Sequence, residues 1–202
     1  MTLTIAIVLF PDVEELDFAG PLEVFGMAGQ YIDKEWRVVT VAQERTVRGT
    51  NGLTVQVDHT FEDAPEAGIV IVPGGLGTRA GMENAALIDY IRRAGERAQY
   101  VASVCTGSFL LHKAGFLQGK RATTHWAARD EMRALGGDTT VVDDERWVHE
   151  GNVITAAGVS AGIDMALYLV GQLKSPQTAR TLQRFIEYDP APPYADVEPA
   201  LP

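Results

Sequence analysis

The chain has one cysteine among its 202 residues, so no internal disulfide can form and the fold must rest on packing alone. Long apolar runs are also missing: no stretch approaches the roughly 20 residues that a membrane-spanning helix needs. Positive charge is scarce. Lys and Arg number 17 against 27 Asp and Glu, a net charge of −10, and the densest basic group is RRAGER at 92–97, which reads as the polar face of a helix. A chain of that sign repels phosphate backbones, which argues against nucleic acid as a partner. No cysteine or histidine pair has metal-ligand spacing, so no metal or other cofactor is expected. The opening MTLTIAIVLFPD lacks a basic n-region and a small-residue cleavage site. It is expected to be a first strand rather than a signal peptide, and the chain to be cytoplasmic.

What is present has the balance of a globular α/β protein. Hydrophobic residues make up 46% of the chain and charged ones 22%, and short β-branched runs alternate with longer amphipathic segments. Strands are expected at 4–10, 36–42, 68–75 and 100–104. Three of these are apolar on both faces, which places them in the interior of a mostly parallel sheet covered by helices. Crossover helices are expected at 20–32, with Pro21 at a helix-opening position, and at 83–98, where Leu87, Ile88, Ile91 and Ala94 share a face. Residues 146–157 read as a hairpin turning at Glu150-Gly151-Asn152, and 160–173 as an apolar helix. The architecture expected is one domain over 1–188, followed by a tail over 189–202 with five prolines in fourteen residues, irregular and wrapped over the surface.

The lone cysteine lies in YVASVCTGSFLLHKAG. An apolar strand precedes Cys105, small residues flank it two positions away on each side, and a helix-capable stretch follows. That is the logic of a nucleophile elbow, where a sharp strand-to-helix turn projects the central side chain from the sheet. A helix N-terminus there favours the thiolate; the competing reading is a buried cysteine acting as a small hydrophobe. VPGGLGT at 72–78 is a glycine-rich turn after another apolar strand, and both features fall beyond the carboxyl ends of strands, where open α/β sheets bind ligands. The amide of Gly75, with that of Thr106, could form an oxyanion hole, with Gly74 a supporting or pocket residue, or the turn is structural only. FPDVEELDFAGP at 10–21 leaves the same sheet edge and contributes Asp17, either a local turn or cap residue or a carboxyl that moves a proton beside the thiol.

These motifs resemble the ThiJ/PfpI (DJ-1-like) superfamily of flavodoxin-like three-layer proteins. The resemblance runs from LFPDVEELDFAGPLEVF through PGGLGT, YVASVCTGSFLLHKAGFLQGKRATTHWA and GNVITAAGVSAGIDMALYLV to EYDPAPPY, and the last of these points to the isocyanide hydratase branch. It implies that Cys105 is the nucleophile and Asp17 the active-site carboxylate, in a position where much of the superfamily carries glutamate. Thr106 stands where peptidase- and deglycase-like relatives carry histidine, so proteolysis is not expected. The implied reaction adds water to a small-molecule electrophile, an isocyanide, through a covalent thioimidate, with the Thr106 hydroxyl orienting Asp17 or the water. A cysteine-based ligand or redox sensor, and a deglycase acting on α-oxoaldehydes, are the competing functions. The sensor is disfavoured because regulator relatives continue into a helix-turn-helix module whereas this sequence ends at Pro202. His125 is a supporting residue or a hydrogen-bonded structural one, and His112 is packing. Trp126, Trp147 and Phe18 are candidate pocket walls that could equally be core. A homodimer, with no membrane partner, is the assembly implied.

Overall fold

The computed structural model describes residues 2–191 and Ala195. Strand β1 (Leu3–Val8) opens the sheet. Ile5, Ala6, Ile7 and Val8 are all buried, with no alternation, because both faces of the strand are covered. There follow α1 (Glu15–Tyr31), β2 (Trp36–Ala42), a small hairpin of β3 (Thr46–Arg48) and β4 (Thr54–Gln56), and β5 (His59–Thr60). Strand β6 (Ile69–Val72) leads through the glycine-rich turn into α2 (Thr78–Met82) and α3 (Ala85–Arg97), whose first turn is capped by the Asn84 side chain. Strand β7 (Tyr100–Val104) leads directly into Cys105, and α4 (Gly107–Lys113) starts two residues after the cysteine. Then come β8 (Arg121–Ala122), a 3-10 turn at Trp126–Ala128, α5 (Arg129–Ala134), β9 (Thr140–Val141), β10 (Trp147–Glu150), β11 (Val153–Ala156), α6 (Ala161–Leu173) and α7 (Pro176–Phe185).

The seven-stranded sheet has the order β10-β11-β7-β6-β1-β2-β5, and every pairing in it is parallel except β10 with β11. Helices α1, α6 and α7 pack together, while α2, α3 and α4 pack against one another and against β6 and β7. This is the flavodoxin-like three-layer sandwich. The chain leaves β1 for β2 on one side and returns as β6 on the other, so a crevice opens beyond the carboxyl ends of β1 and β6, the place where such sheets bind ligands. The first turn of α1, which carries Asp17, and the turns carrying Gly74 and Cys105 all lie at that edge.

Several boundaries differ from the sequence-based expectation. Helix α1 begins at Glu15, and Pro21 sits inside it rather than at its start. Proline is tolerated there although it leaves the Asp17 carbonyl without its usual i+4 donor. The close α1–α6 seam explains the local sequence: Pro21 Cδ would be 3.4 Å from a Cβ at Gly162, and a Cβ at Gly20 would lie 2.8 Å from Ile163 Cγ1. Strand β6 stops at Val72, leaving Pro73, Gly74 and Gly75 to turn into the crevice. The hairpin falls where expected, with Glu150 paired to Val153 and Gly151 at φ +67°. Helix α7 was not anticipated, although Ser175 followed by Pro176 is a cap-and-start signal, and the Ser175 hydroxyl does accept from the Thr178 amide. The proline-rich tail lies outside the described residues from 192 on, Ala195 excepted.

The elbow depends on one close approach. A Cβ at Gly107 would sit 2.1 Å from the Val72 carbonyl oxygen and 2.7 Å from that of Pro73, backbone atoms that cannot yield without moving β6. Gly107→Ala is therefore expected to destabilise the protein by about 3 kcal/mol, seen as a lower urea midpoint. Gly26→Ala, in α1 with nothing within 4 Å of the added methyl, is expected to stabilise by about 0.5–1 kcal/mol. Equal midpoints for the two variants would contradict this account.

Candidate active site

Cys105 takes φ +57°, a conformation costly for a side chain carrying Cβ. The turn is held by its backbone groups: the Cys105 amide donates to the Ala156 and Ala157 carbonyls at 3.1 and 2.9 Å. Its carbonyl accepts from the hydroxyls of Ser108 at 3.1 Å and Thr124 at 3.0 Å. The TTHW segment thus has a structural task in its second threonine. Opposite the thiol stands Val159, a β-branched residue at φ +43° in the turn between β11 and α6. A strained conformation at such a residue is uncommon enough to mark a functional site.

Asp17 is fully buried. Its Oδ2 accepts from the Gly74 amide at 2.8 Å, and its Oδ1 has no hydrogen-bond partner. Burial pushes the carboxyl up to about 7, against the opposing pull of the Gly74 amide, with the Glu14 charge adding to the rise and the Cys105 thiol contact opposing it. Gly74 cannot carry a side chain: a Cβ there would be 2.6 Å from the Thr106 nitrogen, 2.7 Å from Thr106 Oγ1 and 2.9 Å from Asp17 Oδ2. The three expected motifs therefore meet within van der Waals distance at one backbone position.

The thiol differs from the expectation. Burial, and then the Asp17 charge, push Cys105 up to about 12, while the amides of Thr106 and Val159 and the Thr106 hydroxyl oppose the rise. A helix of two turns, 107–113, does not outweigh desolvation plus a neighbouring carboxylate. The resting pair is a neutral thiol beside a carboxyl poised near neutrality.

Gly75 also departs from its expected role. Its amide donates to Thr106 Oγ1 at 3.1 Å and so is not free to stabilise charge on a substrate; the amides near the sulfur are those of Thr106 and Val159. Thr106 Oγ1 lies 3.2 Å from the Gly75 carbonyl oxygen and 3.1 Å from Thr78 Oγ1, which directs it to the turn after β6 rather than to Asp17. Gly75 itself is a glycine by necessity, at φ +131° with a would-be Cβ 2.4 Å from backbone atoms of Asp12 and Glu14.

A pocket of about 240 Å³ opens onto Cys105, walled by Glu14, Leu76, Arg79, His125 and Val159 among others. His125 accepts from the Ala127 amide through Nδ1 at 3.3 Å, which leaves Nε2 as the protonated nitrogen of the neutral ring. Burial and then the Arg129 charge hold His125 below its ordinary value. Trp126 is 53% exposed and belongs to an adjoining groove that shares His125 and Val159. Phe18 is core and Trp147 packs on Tyr168, with ring centroids 5.5 Å apart; neither walls the pocket. His112 is partly buried, near Thr139 Oγ1 at 3.2 Å, away from the thiol. Glu14, Arg79, Thr78 and Val159 were not singled out from the sequence. Only contacts across separate loops distinguish them. No group of three or more His, Cys, Asp and Glu among the described residues could hold a metal ion, and no helix among them is long and apolar enough to cross a membrane.

Fold and site together define an α/β protein with a cysteine at a strand-to-helix elbow and a buried carboxyl beside it. The DJ-1/PfpI family model matches residues 3–172, and the chain belongs to that family. It is 40% identical to isonitrile hydratase of Pseudomonas putida, over 98% of this chain and 84% of that protein. It is 29% identical to the HTH-type transcriptional regulator CdhR of Pseudomonas aeruginosa over 85% of this chain, but spans 51% of that regulator. Among solved structures, a ThiJ/PfpI family protein from Pseudomonas syringae superposes with a TM-score of 0.87 at 33% identity, covering 96% of this chain and 78% of the other.

The buried carboxyl makes a stability prediction. Because the folded chain holds the Asp17 proton more tightly than the unfolded chain, this residue's contribution is most favourable below the unfolded value near 4. It declines as pH rises to about 7 and is level above that. Asp17→Asn removes the decline. The variant is expected to gain stability relative to wild type between pH 4 and 7, reaching on the order of 4 kcal/mol, measured by urea denaturation at both pH values. A gain of the same size at pH 4 would show that the titration of Asp17 is not its source.

Proposed function

We propose that the protein is an isocyanide hydratase-like enzyme that converts an isocyanide and water to an N-substituted formamide. The observation that carries this reading is the buried carboxyl whose Oδ1 is unpartnered beside the only cysteine. Nucleophile and proton carrier adjoin, both buried, with the sulfur reached from the pocket. The 40% identity to isonitrile hydratase over nearly the whole chain supports it.

The terminal carbon of an isocyanide accepts both a nucleophile and a proton. Ionised Asp17 removes the Cys105 proton as Sγ bonds to that carbon, and returns it to the same carbon, giving the thioimidate S–CH=N–R. Water then adds through oxygen to this carbon; Asp17 takes one water proton and the nitrogen receives one. The C–S bond breaks, the formamide leaves, and Cys105 recovers its proton. One water is consumed, nothing is oxidised or reduced, and the chain's own residues carry every proton. The amides of Thr106 and Val159 stabilise the sulfur as it gains and loses charge. A carboxyl near 7 suits this exchange, since it can both accept and return a proton at neutral pH.

Turnover of an aryl isocyanide, followed by absorbance, is expected for wild type and absent in Cys105→Ala. Because the base form of Asp17 starts the cycle, kcat/KM should rise with pH about a midpoint near 7, and Asp17→Asn should lose both that rise and most of the activity. Asp17→Glu is expected to lose at least about tenfold, since a fully buried carboxylate against Gly74 has no space for another methylene. An active Cys105→Ala enzyme would end the covalent reading.

A further inference from the structure

Next to the site lies a fully buried hydroxyl to which the catalytic reading gives no task. Thr78 is the first residue of α2 and has no exposed surface. Its Oγ1 lies 2.9 Å from the Gly75 carbonyl oxygen and 3.1 Å from Thr106 Oγ1. Thr106 Oγ1 in turn lies 3.2 Å from that same carbonyl and accepts from the Gly75 amide. Two hydroxyl protons thus share one carbonyl, beside a sulfur that gains charge during turnover.

We infer that Thr78 is a positioning residue for the nucleophile: by taking over the Gly75 carbonyl, its hydroxyl lets Thr106 turn its own proton toward Cys105 Sγ without leaving a buried acceptor unpaired. The inference deepens the reading of Cys105 as nucleophile and rests on it. With a neutral thiol, Thr78 donates to Thr106 Oγ1 and Thr106 donates to the Gly75 carbonyl. When the sulfur carries charge, Thr106 donates to sulfur and Thr78 rotates to the carbonyl. The Gly75 amide stays on Thr106 Oγ1 in both arrangements. The Thr78 amide reaches the carbonyl at 3.3 Å, longer than a good N–H···O bond, and does not replace the hydroxyl. When the Thr78 proton leaves Thr106, Arg79 Nη1 faces the Thr78 oxygen at 3.4 Å. The geometry is rigid, because a Cβ at Gly77 would fall 1.9 Å from the Pro11 carbonyl oxygen, pinning the start of α2 to the loop after β1. The charged or titratable groups facing this cluster are Asp17 from α1, Glu14, Arg79 and His125.

The sole cysteine makes alkylation a readout of Cys105 alone. Removing the Thr78 hydroxyl leaves a buried carbonyl unpaired whenever Thr106 serves the sulfur, so Thr78→Val is expected to slow iodoacetamide alkylation at pH 8.5 on the order of tenfold. kcat on an aryl isocyanide should fall by a similar factor, with KM within about twofold. Thr78→Ser should restore both, and in a Thr106→Val background Thr78→Val should change neither further. If the valine variant does not fold, Thr78→Ala carries the same expectation. Alkylation at the wild-type rate without the hydroxyl, no rescue by serine, or an undiminished effect in the Thr106→Val background would each overturn the inference, leaving Thr78 a turn residue that affects stability only. Absent isocyanide turnover by the wild type, with the alkylation pattern as expected, would reject the assigned reaction and leave the positioning role standing.

Discussion

The site depends on the contact between the ends of β6 and β7. Backbone carbonyls of Val72 and Pro73 press on the α-carbon of Gly107, and the Gly75 amide is bonded to the Thr106 hydroxyl. Because parallel strands pair without a tight turn between them, their carboxyl ends can be brought this close only by the loops that follow, and each loop must be free of side chains where it crosses the other. Gly74, Gly75 and Gly107 meet that requirement. Cys105 adopts its left-handed conformation inside this frame, with its own carbonyl and amide tied to Ser108, Thr124 and the end of β11. The strain is maintained by its surroundings, as an elbow needs.

The same closeness sets the electrostatics. Contact with Gly74 holds Asp17 fully buried, and the loss of hydration raises the carboxyl toward neutrality. Its charge then opposes ionisation of the thiol. A site arranged around a free thiolate would show the reverse, an exposed sulfur near positive charge. Here the thiol keeps its proton beside a carboxyl that ionises near neutrality, which fits addition to a substrate carbon that needs both sulfur and hydrogen.

Much of this was legible along the chain. The unbroken apolar runs of β1 and β6 report burial on both faces, and so a parallel sheet. The small residues around Cys105 report the elbow, and PGG reports a turn without side chains. Position 17 stood out for its acidity just after a strand, and it does lie against the thiol. The oxyanion assignment to Gly75 was less accurate, because an amide's partner is decided by the loop opposite. Pro21 misled for a related reason: a proline fits a helix start in isolation, but α1 is held from Glu15 by its packing on α6. Among the tryptophans and Phe18, side-chain type gave no guide to which would face the pocket.

Composition and pattern along the sequence were enough to determine the layers, the order of alternation and the three loops that carry chemistry, because burial and turn geometry are written in local residue types. Only the tertiary structure decided the direction of the thiol's ionisation, the neighbours of the Thr106 hydroxyl and the strained Val159 facing the sulfur. Those properties belong to distances between segments far apart in the chain, where a few tenths of an ångström and the exclusion of water outweigh what any residue prefers by itself.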